Sequence, residues 1–162
     1  MKDLLKLDVT TKSEENQIDK LFSFYESCKF DMVPVAKNDK RPIENAWTTK
    51  NHKEKSEWLQ WTMNGLNIGV KTGGVSGITV IDVDVSEIPK ELEPYLKGTL
   101  KQTTNKGYHF FFKYTEELPK TRIDEYKIDI ENNGGQVVIN PSTIDGKVRE
   151  INCKPIIEMP KE

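Results

Sequence analysis

One eight-residue stretch restricts this chain more than any other. Ile78-Thr79-Val80-Ile81-Asp82-Val83-Asp84-Val85 opens with apolar side chains on both faces, as a strand with neighbours on either side does. It then places two aspartates two residues apart. Successive strand side chains alternate, so Asp82 and Asp84 share a face. Their Cα atoms would lie roughly 6.5–7 Å apart. Two carboxylates that close repel, and burial sharpens the repulsion. A hard divalent cation is the simplest counter-charge, since Mg²⁺ takes oxygen ligands from one or two carboxylates. The plain alternative is a strand end that meets solvent or a lysine.

Around this strand the chain reads as α+β. Glu14–Lys29 is predicted helical, with acidic residues in its first turn and Ile18, Leu21, Phe22 and Tyr25 at core-facing spacing. Met1–Thr11 reads as a loose lead-in. Met32–Val35 is a short predicted strand, and Glu54–Met63 a second amphipathic helix. From Asn67 onward, short apolar segments alternate with Gly, Pro and Asn turns. Strands are predicted at Asn67–Val70, Ile78–Val85, Thr99–Thr103, Tyr108–Lys113, Tyr126–Ile130, Gln136–Ile139 and Lys147–Ile151. A short helix is expected over Ser86–Leu96. Asp145-Gly146 is a tight-turn signal between the last two strands.

Two further strands carry polar groups inside apolar patterns. Tyr108-His109-Phe110-Phe111-Phe112 places His109 and Phe111 on one face. The turn before it, Thr103-Thr104-Asn105-Lys106-Gly107, carries a lysine. Such a turn could hold a phosphate, with Lys106 as a point charge and His109 as a donor; a structural histidine is the plain reading. Ile128-Asp129-Ile130-Glu131 sets two acids on one face, and periodicity leaves Asp129 and Glu131 as rivals. Gly134-Gly135 follows, either as a close approach of backbone to a ligand or as an ordinary hairpin loop. Asn140-Pro141-Ser142 closes the run.

Bulk properties exclude several classes. The 162 residues suffice for one domain. No apolar run is long enough to span a membrane, and Met1–Lys20 lacks the apolar core of a signal peptide. Cys28 and Cys153 form no CxxC pair, which argues against structural zinc and fits a reduced, cytoplasmic setting. A net charge of −2 gives no global pull toward nucleic acid, so any such binding must use a local basic patch. Lys37, Lys40, Arg41, Lys50, Lys53 and Lys55, with Trp47 and Trp58 interleaved, form the densest such region. A solvated face and core tryptophans are the alternative. Gly65–Thr72 fails the P-loop spacing. His52 and His109 cannot supply the paired histidines of a rolling-circle nuclease, and there is no nucleophile elbow.

The order of these motifs resembles the primase–polymerase (prim-pol) family of the archaeo-eukaryotic primase superfamily, found in mobile replicons and viruses. The shared features are Asp-Val-Asp at a strand end, His after a Gly-containing turn, then Asp before Gly-Gly and Asn-Pro-Ser. Met32–Val35 with Lys40-Arg41-Pro42 and Trp47, and Asn67–Val70 with Thr72-Gly73, resemble the family's earlier segments. Roughly residues 17 to 158 are covered. The turn before the histidine reads Asn105-Lys106-Gly107 where relatives often carry Ser-Gly-Gly, and Gly107 stands where the superfamily has a small hydroxyl.

The resemblance implies an RRM-like, mostly antiparallel sheet joined to a smaller N-terminal α/β unit. That is one catalytic domain over 1–162, with the α/β part at about 12–66 and the active site in about 67–158. It implies template-dependent nucleotidyl transfer by two-metal-ion catalysis, with Mg²⁺ or Mn²⁺ held by Asp82, Asp84 and Asp129. His109, Lys106 and Ser142 would contact the nucleotide. The implied partners are a single-stranded DNA template with its primer, dNTP or NTP, and a helicase, fused or separate. The resemblance also implies that this chain is the N-terminal piece of a longer primase-helicase. A primase-like module that binds nucleotide or single-stranded DNA without catalysis is the alternative.

Overall fold

The computed structural model describes residues 12–85, 87, 88, 90–116, 121–123 and 128–158. Among the described residues, fourteen elements follow one another: α1 (Lys12–Ser27), β1 (Met32–Val35), a 3-10 turn (Trp47–Thr49), α2 (Lys55–Met63), β2 (Asn67–Lys71), β3 (Ile78–Val83), α3 (Glu93–Leu96), β4 (Leu100–Thr103), β5 (Tyr108–Lys113), β6 (Thr121–Ile123), β7 (Ile128–Glu131), β8 (Gln136–Val138), β9 (Thr143–Ile144) and β10 (Lys147–Val148). They form two compact units. Met1–Lys71 joins Gln136–Glu150, and Thr72–Gly135 joins Ile151–Glu162. β2 pairs with β1 and β8, which draws Asn67–Lys71 and Gln136–Val138 into the unit of the N-terminal helices. Periodicity identifies strands but not their partners, and the partners decide the grouping.

In the first unit, β1-β2-β8 is an antiparallel sheet. The apolar stripe of α1 is buried as its spacing predicts, with Ile18, Leu21, Phe22 and Tyr25 at most 5% exposed. Trp58 of α2 packs edge-on to Phe22, with ring centroids 5.7 Å apart. Its indole N–H donates to the His52 carbonyl at 2.9 Å. The Tyr25 hydroxyl donates to the Asn140 carbonyl at 2.6 Å. Inside this unit Lys71 and Asp31 form a buried ion pair at 3.6 Å. Lys71 also donates to the Lys50 carbonyl, and the His52 N–H donates to Asp31 at 2.7 Å. The pair thereby ties the segment before α2 to the first two strands. Removing either partner would strand a buried charge.

His52 lies between two carboxylates: Nε2 is 2.9 Å from Glu44 and Nδ1 is 3.0 Å from Glu57. Burial lowers its pKa, but hydrogen bonds to Glu44 and Glu57 and their charges outweigh this and raise it above 6.5. A raised folded-state pKa stabilises fully below the unfolded value and is lost as pH rises through the folded one. The Tm should therefore fall by about 2–4 °C on moving from below pH 6.5 to well above it. Calorimetry of His52→Gln should show this slope removed.

The second unit is built on a five-stranded sheet of order β4-β5-β3-β7-β6, antiparallel at every pairing. β3 is its centre, which explains the apolar opening of that strand. One face carries Ile81, Val83, Phe110, Phe112, Ile128 and Ile130, packed with Leu96 of α3. Each such side chain contributes about 1.5–3 kcal/mol when fully buried. The opposite face carries Asp82, Gln102, His109 and Asp129 in one row.

The helix expected over Ser86–Leu96 forms only at Glu93–Leu96, with Ser86 and Pro89 outside the described residues. Pro94 explains the late start: it suits a first turn but would break the interior of a longer helix. Tyr126 and Lys127, the expected start of β7, and the lead-in Met1–Thr11 also lie outside the described residues. Asp145 and Gly146 both have positive φ, 53° and 75°, as a type I′ turn requires. They join β10 to β9, a strand not expected, rather than to β8. β6 was not expected either. Glu131–Gly135 is no hairpin, because β7 and β8 belong to different sheets.

Candidate metal and nucleotide site

The register of the five-stranded sheet lines up one row of residues. Asp82 of β3 pairs with His109 of β5 on one side and with Asp129 of β7 on the other. Beyond these, Gln102 of β4 pairs with His109, and Arg122 of β6 stands opposite Asp129 in register. Directly opposed residues share a face, with Cβ atoms about 4.5–5.5 Å apart. Asp84, two residues past Asp82, follows just beyond the strand end. Carboxylate oxygens of Asp82, Asp84 and Asp129 all lie within 4.8 Å of one another. Each of the three is half-buried.

That packing is electrostatically unfavourable without a cation. Burial pushes the pKa of Asp84 up, and the charge of Asp82, a hydrogen bond shared with Asp82, and the charge of Asp129 add to the rise. The Lys106 ammonium offsets part of it. Three hard oxygen donors that force one of their number toward protonation fit a divalent cation.

Glu131, the rival for the third position, stands opposite Val80, a step along the same strand. Its Oε1 lies 2.8 Å from where a Cβ on Gly135 would stand, beside Thr72 Oγ1. Among the described residues, the carboxylate trio is Asp82, Asp84 and Asp129.

His109 is 6% exposed. Its Nε2 lies 3.5 Å from Asp82 Oδ2, and its Nδ1 is 3.0 Å from the amide nitrogen of Gln102. The turn that precedes it is closed by two bonds, from Thr104 N–H to the Gly107 carbonyl and from Gly107 N–H to Thr104 Oγ1, both 2.8 Å. Lys106 is exposed at its tip. A Cβ on Gly107 would stand 1.9 Å from the Val83 carbonyl oxygen and 2.8 Å from that of Val85. The turn thus rests on the backbone that flanks Asp84. Gly107→Ala must displace that backbone and is expected to lower stability by about 1–3 kcal/mol. Urea melts measure the loss, and weaker metal binding should accompany it.

Ser142 belongs to the first unit. It is 1% exposed, and its hydroxyl donates to the Ile68 carbonyl at 3.0 Å while accepting from the Ile68 N–H at 2.8 Å. Both capacities serve the β2 backbone.

Over residues 23–162 the chain matches the sequence profile of a family described as bifunctional DNA primase/polymerase, N-terminal. The chain belongs to this Prim-Pol family. No curated protein matches it. Prim-Pol membership points to DNA primase/polymerase activity in replication, with DNA and nucleotides as substrates, and a cluster able to take a divalent metal is in place. No helix among the described residues is long and apolar enough to cross a membrane.

The basic region of this Prim-Pol chain is thinner than its sequence suggests. Trp58 is fully buried and Trp47 half-buried against Val33, Val35, Val138 and Ile144. Lys55 pairs with Asp19 at 2.9 Å and donates to Ser23. Lys37, Lys40, Arg41, Lys50 and Lys53 are exposed. Gln102 escaped sequence reading altogether. Its only signal is a glutamine at an inward position of the alternating Leu100-Lys101-Gln102-Thr103, and its partner becomes visible only with the register.

Proposed function

We propose that the chain catalyses template-directed nucleotidyl transfer, extending a DNA primer at the Asp82–Asp84–Asp129 cluster. The observation that carries this reading is the meeting of three carboxylates and a histidine on one sheet face, from three strands far apart in sequence. Asp82, Asp84 and Asp129 would hold Mg²⁺ or Mn²⁺. Divalent ions bound there supply the charge that activates the attacking primer hydroxyl and steadies the leaving pyrophosphate.

The remaining roles fall to the chain itself. His109 directs a ring N–H toward the triphosphate, and Lys106 places a mobile positive charge near the same oxygens. The central position of β3 fixes Asp82 between two neighbours, so its carboxylate is preorganised rather than recruited. On the first unit, the exposed Lys37, Lys40, Arg41, Lys50 and Lys53 offer a positive surface to nucleic-acid phosphates.

Primer extension by the 162-residue chain tests the reading. A labelled primer–template, dNTP and Mg²⁺ or Mn²⁺ should yield products longer than the primer, and chelation should stop this. A chain that binds dNTP but never lengthens a primer is a nucleotide-binding module instead. Competition between dNTP and NTP in the same assay identifies the preferred sugar.

A further inference from the structure

We propose that Gln102 is the positioning residue of this site: its amide holds the His109 ring as the Nε2–H tautomer and aims that N–H at the phosphate oxygens of a bound nucleotide. The acceptor's identity rests on the primer-extension reading, whereas the tautomer does not.

Gln102 lies on β4 directly opposite His109 and is fully buried. Its amide nitrogen is 3.0 Å from His109 Nδ1. A neutral imidazole has one donor nitrogen and one acceptor nitrogen. An amide N–H that donates to Nδ1 makes Nδ1 the acceptor and leaves the ring proton on Nε2. The opposite side of the ring makes the same demand, because Asp82 Oδ2 lies 3.5 Å from Nε2. A carboxylate oxygen favours an N–H facing it over a lone pair. The other tautomer would turn the Nε2 lone pair toward the carboxylates and toward any triphosphate oxygen placed there. Phe111 meets the imidazole edge-on at 90°, with centroids 6.4 Å apart, which limits its tilt.

Glutamine suits this task better than glutamate. A carboxylate at position 102 would require a proton on Nδ1 and would add a negative charge beside Asp82, Asp84 and Asp129. The glutamine amide is neutral and orients the ring without changing the charge seen by a cation or a triphosphate. Partners that orient a metal-ligating histidine from behind are worth about 10–100-fold in affinity or activity, and the same geometric argument applies to a histidine that donates to phosphate.

The test combines a spectroscopic and a kinetic readout. The chain contains only His52 and His109, so ¹⁵N spectra of a His52→Gln background report His109 alone. Wherever the ring is neutral, Nε2 should carry the proton and Nδ1 should be the acceptor, because Gln102 donates to Nδ1. Gln102→Glu should move the proton to Nδ1 or add one there. Gln102→Met, similar in length but without the donor, should give a mixture of tautomers. It should raise the KM for dNTP roughly tenfold. Its kcat and metal affinity should stay within about threefold of wild type. A neutral His109 ring whose single proton sits on Nδ1 in the unmutated chain overturns the proposal without any variant at position 102. So does a Gln102→Met chain with unchanged tautomer and KM, or one that loses kcat and metal affinity together while the tautomer holds. An unmutated chain that shows the Nε2–H form yet extends no primer refutes the primer-extension reading and leaves the tautomer assignment standing.

Discussion

Asp82→Ala should slow primer extension by about a thousandfold or more, because several kcal/mol of transition-state charge stabilisation goes with a lost metal ligand. Asp129→Asn should fall in the same range. Glu131→Gln should stay within about threefold of wild type, since its carboxylate is turned toward Gly135 and Thr72 rather than into the trio. Single-turnover extension at saturating primer–template and metal separates these variants from binding defects. The contrast between Asp129 and Glu131 is the sharper part of this test. A dead Glu131→Gln beside an active Asp129→Asn would transfer the third ligand to Glu131.

The second large effect concerns metal, proton and stability together. Without metal, Asp84 holds its proton more tightly in the folded chain than in the unfolded one, because of burial and of Asp82 and Asp129. A raised folded-state pKa on an acid means that the folded state binds more protons than the unfolded one. Metal-free stability should thus fall as pH climbs from the ordinary carboxylate value of 3.8 through the raised value. Mg²⁺ or Mn²⁺ must displace that proton. Apparent metal affinity should therefore rise with pH and level off once pH exceeds the raised value. At neutral pH, Asp84→Asn should raise the metal-free Tm by about 1–3 °C, a modest gain because solvent screens its repulsion with Asp82 and Asp129. The same variant should lose most of the Tm increase that metal produces in wild type. Thermal melts across pH, with and without metal, read both effects. A lower metal-free Tm for Asp84→Asn would mean that the carboxyl is a net structural support.

Much of this site is legible in one dimension because strand alternation is rigid. Asp82 with Asp84, and His109 with Phe111, share faces by period alone, and the fold keeps those pairings. Local pattern also places α1, β1 and β5, whose apolar stripes and turns are unambiguous. What it cannot supply is which strand lies beside which. Asp129 and Glu131 are equivalent by period, and only the pairing of Asp82 with Asp129 sets them apart. Gln102 is one polar residue in a short strand until β4 is laid against β5. Trp58 illustrates the opposite error. Lys53 and Lys55 lie close to it in sequence, but its indole packs on Phe22 and is bonded to the His52 carbonyl. Charge density along a chain says little about which side of a helix an aromatic ring occupies. Gly107 shows a third limit: its need for a bare Cα comes from the Val83 and Val85 backbone, a contact across 22 to 24 positions in the chain.

The first unit is completed by residues that arrive late. β8 supplies the third strand beside β2, but Gln136–Val138 follows the whole run Thr72–Gly135 of the second unit. On a ribosome that emits the chain from its N-terminus, β1 and β2 must wait, with one edge unpaired, while β3 to β7 emerge. The interval of 64 residues from Thr72 to Gly135 takes on the order of 3–13 s at about 5–20 residues per second. During that time the nascent β2 edge is open to pairing with other strands. Stalling translation just before residue 136 would hold the protein in this vulnerable state, and chaperone recruitment should peak there.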